Sequence, residues 1–207
     1  MSEELVFYTN PMSRGRIVRW MLEEVGAPYR TEILGYDGAM KGPDYLAINP
    51  MGKVPAIRHG ETVVTESAAI CAYLADAFPG AALAPDLKAR GPYYRWLFFG
   101  AGPVEMAGMC KNMGFDTAGK ELQIGFGSLK LTLDALEMAV TANPYFAGDA
   151  FSAADVYTGS HIGWGMQFGF MEKRPAFERY WERVSNRPAA VRAREIDDAL
   201  TPPQPAG

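Results

Sequence analysis

The sequence predicts two units in series: a small α/β unit of order βαβ-ββα over residues 1–80 and an all-α unit over residues 89–200. Three observations predict this. Short runs rich in Val, Ile, Tyr and Thr, bounded by Gly, Pro or Asn, fall in the first 80 residues. After residue 89 the patterned segments carry apolar residues three or four apart, the helical spacing. Between them, residues 81–88 (AALAPDLK) follow neither pattern and read as a linker.

Taken in order, Leu5–Thr9 (LVFYT) is a β-rich run that stops at the turn signal Asn10-Pro11. Arg16–Val25 places Ile17, Val18, Met21, Leu22 and Val25 on one helical stripe, and Gly26 ends it. Tyr29–Leu34 alternates as a second strand. A Gly-rich link, Gly35–Asn49, leads to Val54–Arg58 and Thr62–Thr65, a hairpin turned by His59-Gly60-Glu61. Pro55, at the second position of its strand, cannot donate to a ladder and belongs at a strand start or edge. The Ala-rich Glu66–Phe78 is helical and is stopped by Pro79-Gly80. In the second half, five helices are expected: Arg90–Met113, Lys120–Thr141, Ser152–Phe170, Ala176–Ser185 and Ala189–Leu200. Ser152 with Asp155 three residues on gives the third a capping-box start. Thr201–Gly207 is Pro-rich and is expected to fray.

Composition narrows the chemistry. The chain has 207 residues, 20 Lys and Arg against 24 Asp and Glu, and a net charge of −4, so nothing overall supplies the basic face that nucleic acid requires. No run of 18 apolar residues is present, so no membrane span is expected. The two cysteines, Cys71 and Cys110, are far apart and expected to be buried and inert; the start MSEELVFY does not read as a secretory signal, and a reducing, cytoplasmic setting is expected. The two histidines, His59 and His161, lie in unrelated segments, whereas a zinc site needs three or four clustered ligands, so no metal is expected. Walker A, strand-borne GxGxxG, GxSxG and HExxH are all absent.

Two neighbouring features point to a ligand. In Asn49-Pro50-Met51-Gly52-Lys53-Val54-Pro55, two prolines and a glycine bracket Val54. A cis bond at Pro55 would leave the Val54 N–H and C=O to pair with an extended peptide, in the manner of strand addition. An ordinary turn before a strand is the plainer reading of that segment alone. Glu66-Ser67 then opens a helix, whose free N–H groups and partial positive charge favour a carboxylate. Ser67 adds a hydroxyl donor and Glu66 an acceptor for an ammonium group, so the pair suits an α-amino-acid head. Simple helix capping would use the same residues.

With these motifs the chain resembles the bacterial cytosolic-type glutathione S-transferase family. NPMGKVP, then TES, then an Ala-rich helix is similar to the family's glutathione site in a thioredoxin-like N-terminal domain. Phe151–Tyr157 (FSAADVY) after Gly148-Asp149 resembles the structural capping motif of its all-helical C-terminal domain. The resemblance covers nearly the whole chain. It implies that Val54, before Pro55, holds the cysteinyl backbone of glutathione, and that Glu66 and Ser67 hold its γ-glutamyl end. Lys53 and Lys41 would reach the glycyl carboxylate. Glu105 would reach the γ-glutamyl amine across a dimer interface.

The implied chemistry needs a thiolate, and a free thiol has a pKa of about 8.5. The family uses tyrosine, serine or cysteine for its stabilisation, and cysteine is absent from Phe7–Arg16. Three candidates remain open: Ser13 where the loop meets the helix, Tyr8 at the strand end, and the permanently charged Arg14. The implied function is transfer of the glutathione thiolate to a small hydrophobic electrophile, with glutathione as co-substrate, no metal, and a homodimeric, cytoplasmic, detoxifying protein. The electrophile would lie between the halves, against Met and aromatic residues such as Tyr94, Phe98, Met106 and Trp164. A non-catalytic glutathione-binding or interaction module of the same fold, or a glutathione-dependent peroxidase, dehalogenase or isomerase, are the alternatives.

Overall fold

The computed structural model describes residues 3–201. The chain up to Ala81, together with the segment from Arg187 onward, forms one compact unit, and Ala82–Asn186 forms the other.

The first unit is built on a four-stranded sheet of order β2-β1-β3-β4, from β1 (Leu5–Thr9), β2 (Arg30–Ile33), β3 (Ala56–His59) and β4 (Thr62–Thr65). β1 and β2 run parallel, joined by the crossover helix α1 (Gly15–Val25); β3 lies antiparallel to β1 and to β4. The central strands carry the core: Val6, Phe7, Ala56 and Ile57 are fully buried. The edge strand β2 is guarded by charge, with Arg30 paired to Glu4 and Glu32. The Gly-rich link contains a short helix, α2 (Pro43–Leu46), and α3 (Ser67–Ala77) follows β4 directly. Pro55 immediately precedes β3, in keeping with its missing N–H.

The last helix, α9 (Pro188–Leu200), packs against α1 and belongs to this first unit. The sequence division places it in the helical half, because an amphipathic pattern shows that a face is buried but not against what. The partner accounts for a second buried face on α1: Arg19 is 2% exposed, with its Nε 3.1 Å from Asp197 of α9 and its Nη1 2.8 Å from Thr31 Oγ1. Of the expected C-terminal tail, residues 202–207 lie outside the described residues.

The second unit holds α4 (Arg90–Phe99), α5 (Glu105–Met113), α6 (Leu129–Ala142), α7 (Ala153–Phe168) and α8 (Pro175–Ser185). The expected helix over Arg90–Met113 is interrupted by a π-turn at Gly100–Val104 that includes Pro103, which has no N–H for the regular ladder. Thr158 of α7 donates to the Trp96 carbonyl at 2.7 Å in the preceding turn. The helix expected from Lys120 begins only at Leu129. Gly125 and Gly127 (φ 67°) break the pattern, and Ser128 caps the true start by accepting the Leu131 N–H. Leu122, assigned by spacing to the apolar stripe, is instead fully exposed. The Ser152–Asp155 capping box forms, and Asp155 also accepts from the Phe146 N–H and the Tyr180 hydroxyl, both at 2.8 Å. α7 is buried on nearly every side; at Gly163 a Cβ would come within 2.5 Å of the Trp181 ring. No helix among the described residues is long and apolar enough to cross a membrane.

Candidate functional site

The register of the first sheet gathers the sequence-derived candidates of the first unit at one end. Ala56 opposes Thr65 across β3 and β4, so continuing the ladder outward brings the chain at Val54 toward the chain at Ser67. Tyr8 opposes Ala56 across β1 and β3, so the segment leaving β1 emerges at that same end. Thr9 pairs with Ile33 of β2, whose exit leads to the Lys41 loop.

The Val54–Pro55 peptide is cis, the condition on which the sequence reading gives Val54 a ligand-pairing role. Among the described residues neither the N–H nor the C=O of Val54 has a hydrogen-bond partner. The residue before it is held from two sides: the Lys53 carbonyl accepts from the Tyr45 hydroxyl and from Asn49 Nδ2, each at 2.7 Å. Burial pushes the Tyr45 phenol up to about 12, so it stays a donor at neutral pH. Tyr8, Leu34, Ile48 and Val54 pack on a small cluster of Met40, Tyr45 and Ala56.

Across the hairpin, Glu66 has φ 67° and ψ 119°, a conformation uncommon for a residue with a side chain. It is exposed and precedes α3, whose first turn has no side-chain cap. The first α3 hydrogen bond runs from the Ile70 N–H to the Glu66 carbonyl, which leaves the amides of Ser67, Ala68 and Ala69 without a partner among the described residues. Ser67 is 8% exposed at the mouth of this turn. The arrangement can accept a carboxylate on amides and a hydroxyl, next to an exposed carboxylate that can accept an ammonium.

The loop between β1 and α1 is fixed by Asn10. Its Nδ2 donates to the Leu34 carbonyl at 2.9 Å, and its Oδ1 accepts the Met12 N–H at 2.9 Å. Ser13 is half-buried; its hydroxyl donates to the Asn10 carbonyl at 2.7 Å and accepts the Gly15 N–H at 2.9 Å, at the first turn of α1. Tyr8 is half-buried, with its ring 5.7 Å from that of Tyr45, and among the described residues no hydrogen bond engages its hydroxyl. Arg14 is exposed at the N-cap position of α1.

Lys41 and Lys53 are both exposed; Lys41 Nζ donates to the Met51 carbonyl at 2.8 Å, on the turn that leads to Val54. Glu105 lies in the other unit, at the start of α5, with its Oε2 3.3 Å from His161 Nε2. Cys71 is buried in α3, where burial pushes its thiol up, so it is inert as the sequence suggests. Cys110, expected to be buried, is only partly so. His59 ends β3, with Nδ1 3.0 Å from the Tyr73 hydroxyl. Sequence reasoning missed Asn10, Tyr45 and Asn49, which position the loops rather than face a ligand. The repeated Asn-Pro-Met at residues 10–12 and 49–51 is the signal that could have found two of them.

A family profile described as glutathione S-transferase, N-terminal domain, matches residues 12–77, and one described as glutathione S-transferase, C-terminal domain, matches residues 100–188. An uncharacterized GST-like protein of Streptococcus mutans is 32% identical over 178 residues, covering 78% of this chain and 67% of that protein. The chain belongs to the glutathione S-transferase family. The probable glutathione S-transferase GSTF2 of Oryza sativa subsp. japonica is 28% identical over 200 residues, 88% of this chain and 90% of its own length. Among solved structures, a sphingomonad glutathione S-transferase complexed with glutathione superposes with a TM-score of 0.75 at 29% identity, over 93% of this chain and 98% of the other. The fold is accordingly that of the family: a thioredoxin-like unit with a four-stranded mixed sheet, and a helical unit.

Proposed function

We propose that this glutathione S-transferase family member binds glutathione at the end of its sheet and transfers the thiolate to small hydrophobic electrophiles. One observation carries the reading: the unpaired Val54 backbone lies at the same hairpin end as the open first turn of α3. The cysteinyl part of the tripeptide pairs with the Val54 N–H and C=O. Its γ-glutamyl carboxylate takes the α3 amides and the Ser67 hydroxyl, and Glu66 accepts from the ammonium. Lys53 and Lys41 serve the glycyl carboxylate. Glu105, from a partner copy in a symmetric dimer, adds a second acceptor for the ammonium.

The thiol lies by the loop that opens α1. Ser13 turns its hydroxyl from the Asn10 carbonyl to the sulfur, and the positive end of α1 adds to the stabilisation of the anion. Each unit by which the thiol pKa is lowered corresponds to about 1.4 kcal/mol. A second reading, with Tyr8 as donor, is favoured by its uncommitted hydroxyl; Arg14, at the N-cap of α1, would contribute its permanent charge. The protein acts in the cytoplasm, in detoxification.

Calorimetric titration with glutathione, followed by turnover of a generic aryl halide, tests the proposal. Binding that weakens about tenfold or more in Ser67→Ala supports the site, because a hydrogen bond to a charged group is worth roughly 1.5–3 kcal/mol. No heat of association at millimolar glutathione would refute it. Binding without turnover would leave a non-catalytic glutathione-binding module.

A further inference from the structure

Arg16, in the first turns of α1, joins two parts of the first unit that are remote in sequence. Its Nε donates to the Pro11 carbonyl at 2.6 Å, inside the loop that carries Ser13. Its Nη2 lies 2.8 Å from Asp198 Oδ1 and donates to Thr201 Oγ1 at 3.2 Å, both at the C-terminal end of α9. The Thr201 hydroxyl in turn donates to the Asp197 carbonyl at 2.8 Å, which ties off the last turn of α9.

The helix that offers these acceptors is itself anchored. At its start, Arg187 grips both oxygens of Glu24 at 2.7 and 2.8 Å, and in its last turns Asp197 meets the buried Arg19. The end of α9 thus faces the start of α1, antiparallel to it. The last carbonyls of a helix carry partial negative charge, and here they come near the loop where an anion is to be stabilised. Arg16 stands between the two. Its planar fork reaches acceptors in different directions, whereas a lysine offers its donors from a single point.

We infer that α9 is a working part of the thiol site: through Asp198 and Thr201 it holds Arg16, and Arg16 fixes the Pro11 carbonyl and with it the loop that presents Ser13. This rests on the reading of that loop as the thiol-stabilising element. Arg16 is then a positioning residue that acts through the loop backbone.

The rival explanation is that the charge of Arg16 acts directly on the sulfur, and the two differ in sign. If only charge mattered, removal of the Asp198 carboxylate would unmask Arg16 and make bound glutathione more acidic. If α9 positions the loop, the same change loosens it and makes the thiol less acidic.

The experiment is a pH titration of the thiolate ultraviolet absorbance of glutathione bound to the wild-type chain, Arg16→Lys, Asp198→Ala and Thr201→Val, with kcat and KM for glutathione on a generic aryl halide. Arg16→Lys and Asp198→Ala should each titrate about one pH unit higher than wild type, which is about tenfold less thiolate at any pH well below the midpoint. kcat should fall in proportion while KM for glutathione stays near the wild-type value, and Thr201→Val should move the same way by less. A lower or unchanged midpoint in Asp198→Ala, or a rise in KM with kcat intact, overturns the inference. If Arg16→Lys does not fold, Asp198→Ala decides alone, since that side chain is 60% exposed. A wild-type chain that binds no glutathione defeats the functional reading itself; a wild-type chain that binds and turns over, with variants that titrate like it, defeats only the role of α9.

Discussion

Residues 10–13 and 49–52 begin with the same Asn-Pro-Met and fold into the same turn. In each, the asparagine Oδ1 accepts the N–H of the methionine two residues on, at 2.9 and 3.0 Å, and its carbonyl accepts the N–H of the following residue, at 3.0 and 2.8 Å. Each asparagine Nδ2 holds a neighbouring carbonyl: Leu34 for Asn10, Lys53 for Asn49. The turns part at the fourth residue. Ser13 brings a hydroxyl and leads into α1, whereas Gly52 has φ 57° and leads into the extended Val54-Pro55. One local device therefore serves two ends: it sets a hydroxyl at a helix start, and it sets an unpaired backbone segment beside a hairpin.

The largest effect is expected where the two turns differ most. A Cβ at Gly52 would meet the Met40 carbonyl oxygen at 2.6 Å in a backbone region that side chains avoid. Gly52→Ala should cost on the order of 3 kcal/mol in denaturant unfolding and abolish glutathione binding. Next come the asparagines. Each of Asn10→Ala and Asn49→Ala removes two side-chain hydrogen bonds, about 2 kcal/mol in all. Asn49→Ala should chiefly weaken glutathione binding, while Asn10→Ala should chiefly lower kcat. If steady-state kinetics show the two variants failing in the same way, the division of labour between the turns is wrong.

Ser13→Ala should raise the bound thiol pKa by about one unit, roughly 1.4 kcal/mol, with glutathione still bound. If Tyr8→Phe does so and Ser13→Ala does not, the donor is Tyr8. The smallest effect is expected at the tips. Met12 and Met51 are 61% and 64% exposed, so Met12→Gln and Met51→Gln should each stay within about 0.5 kcal/mol of wild type in thermal unfolding.

Much of the first sheet could be read from the sequence, because its signals are short in range. The hairpin needs only Gly60 and its flanking β-branched runs; α1 needs its stripe and Gly26; the cis Pro55 and Ser67 stand within 13 residues of each other. The errors also have local causes. Gly125, Gly127 and Ser128 break a helical pattern that spacing alone would carry through, and Pro103 turns one long helix into two with a π-turn between them. Which donor serves the thiol was not legible, since Ser13 and Tyr8 both satisfy the pattern and differ only in the partners the fold gives their hydroxyls.

By itself the sequence determined the elements whose signals act over a few residues: turns, caps, strand alternation and the pairing of a proline strand with a serine-led helix. Tertiary structure alone decided that α9 lies on α1, that Arg19 is buried and that Arg16 spans from the Pro11 carbonyl to Asp198. The physical reason is that apolar periodicity reports a face withdrawn from water but carries no address for the surface that covers it.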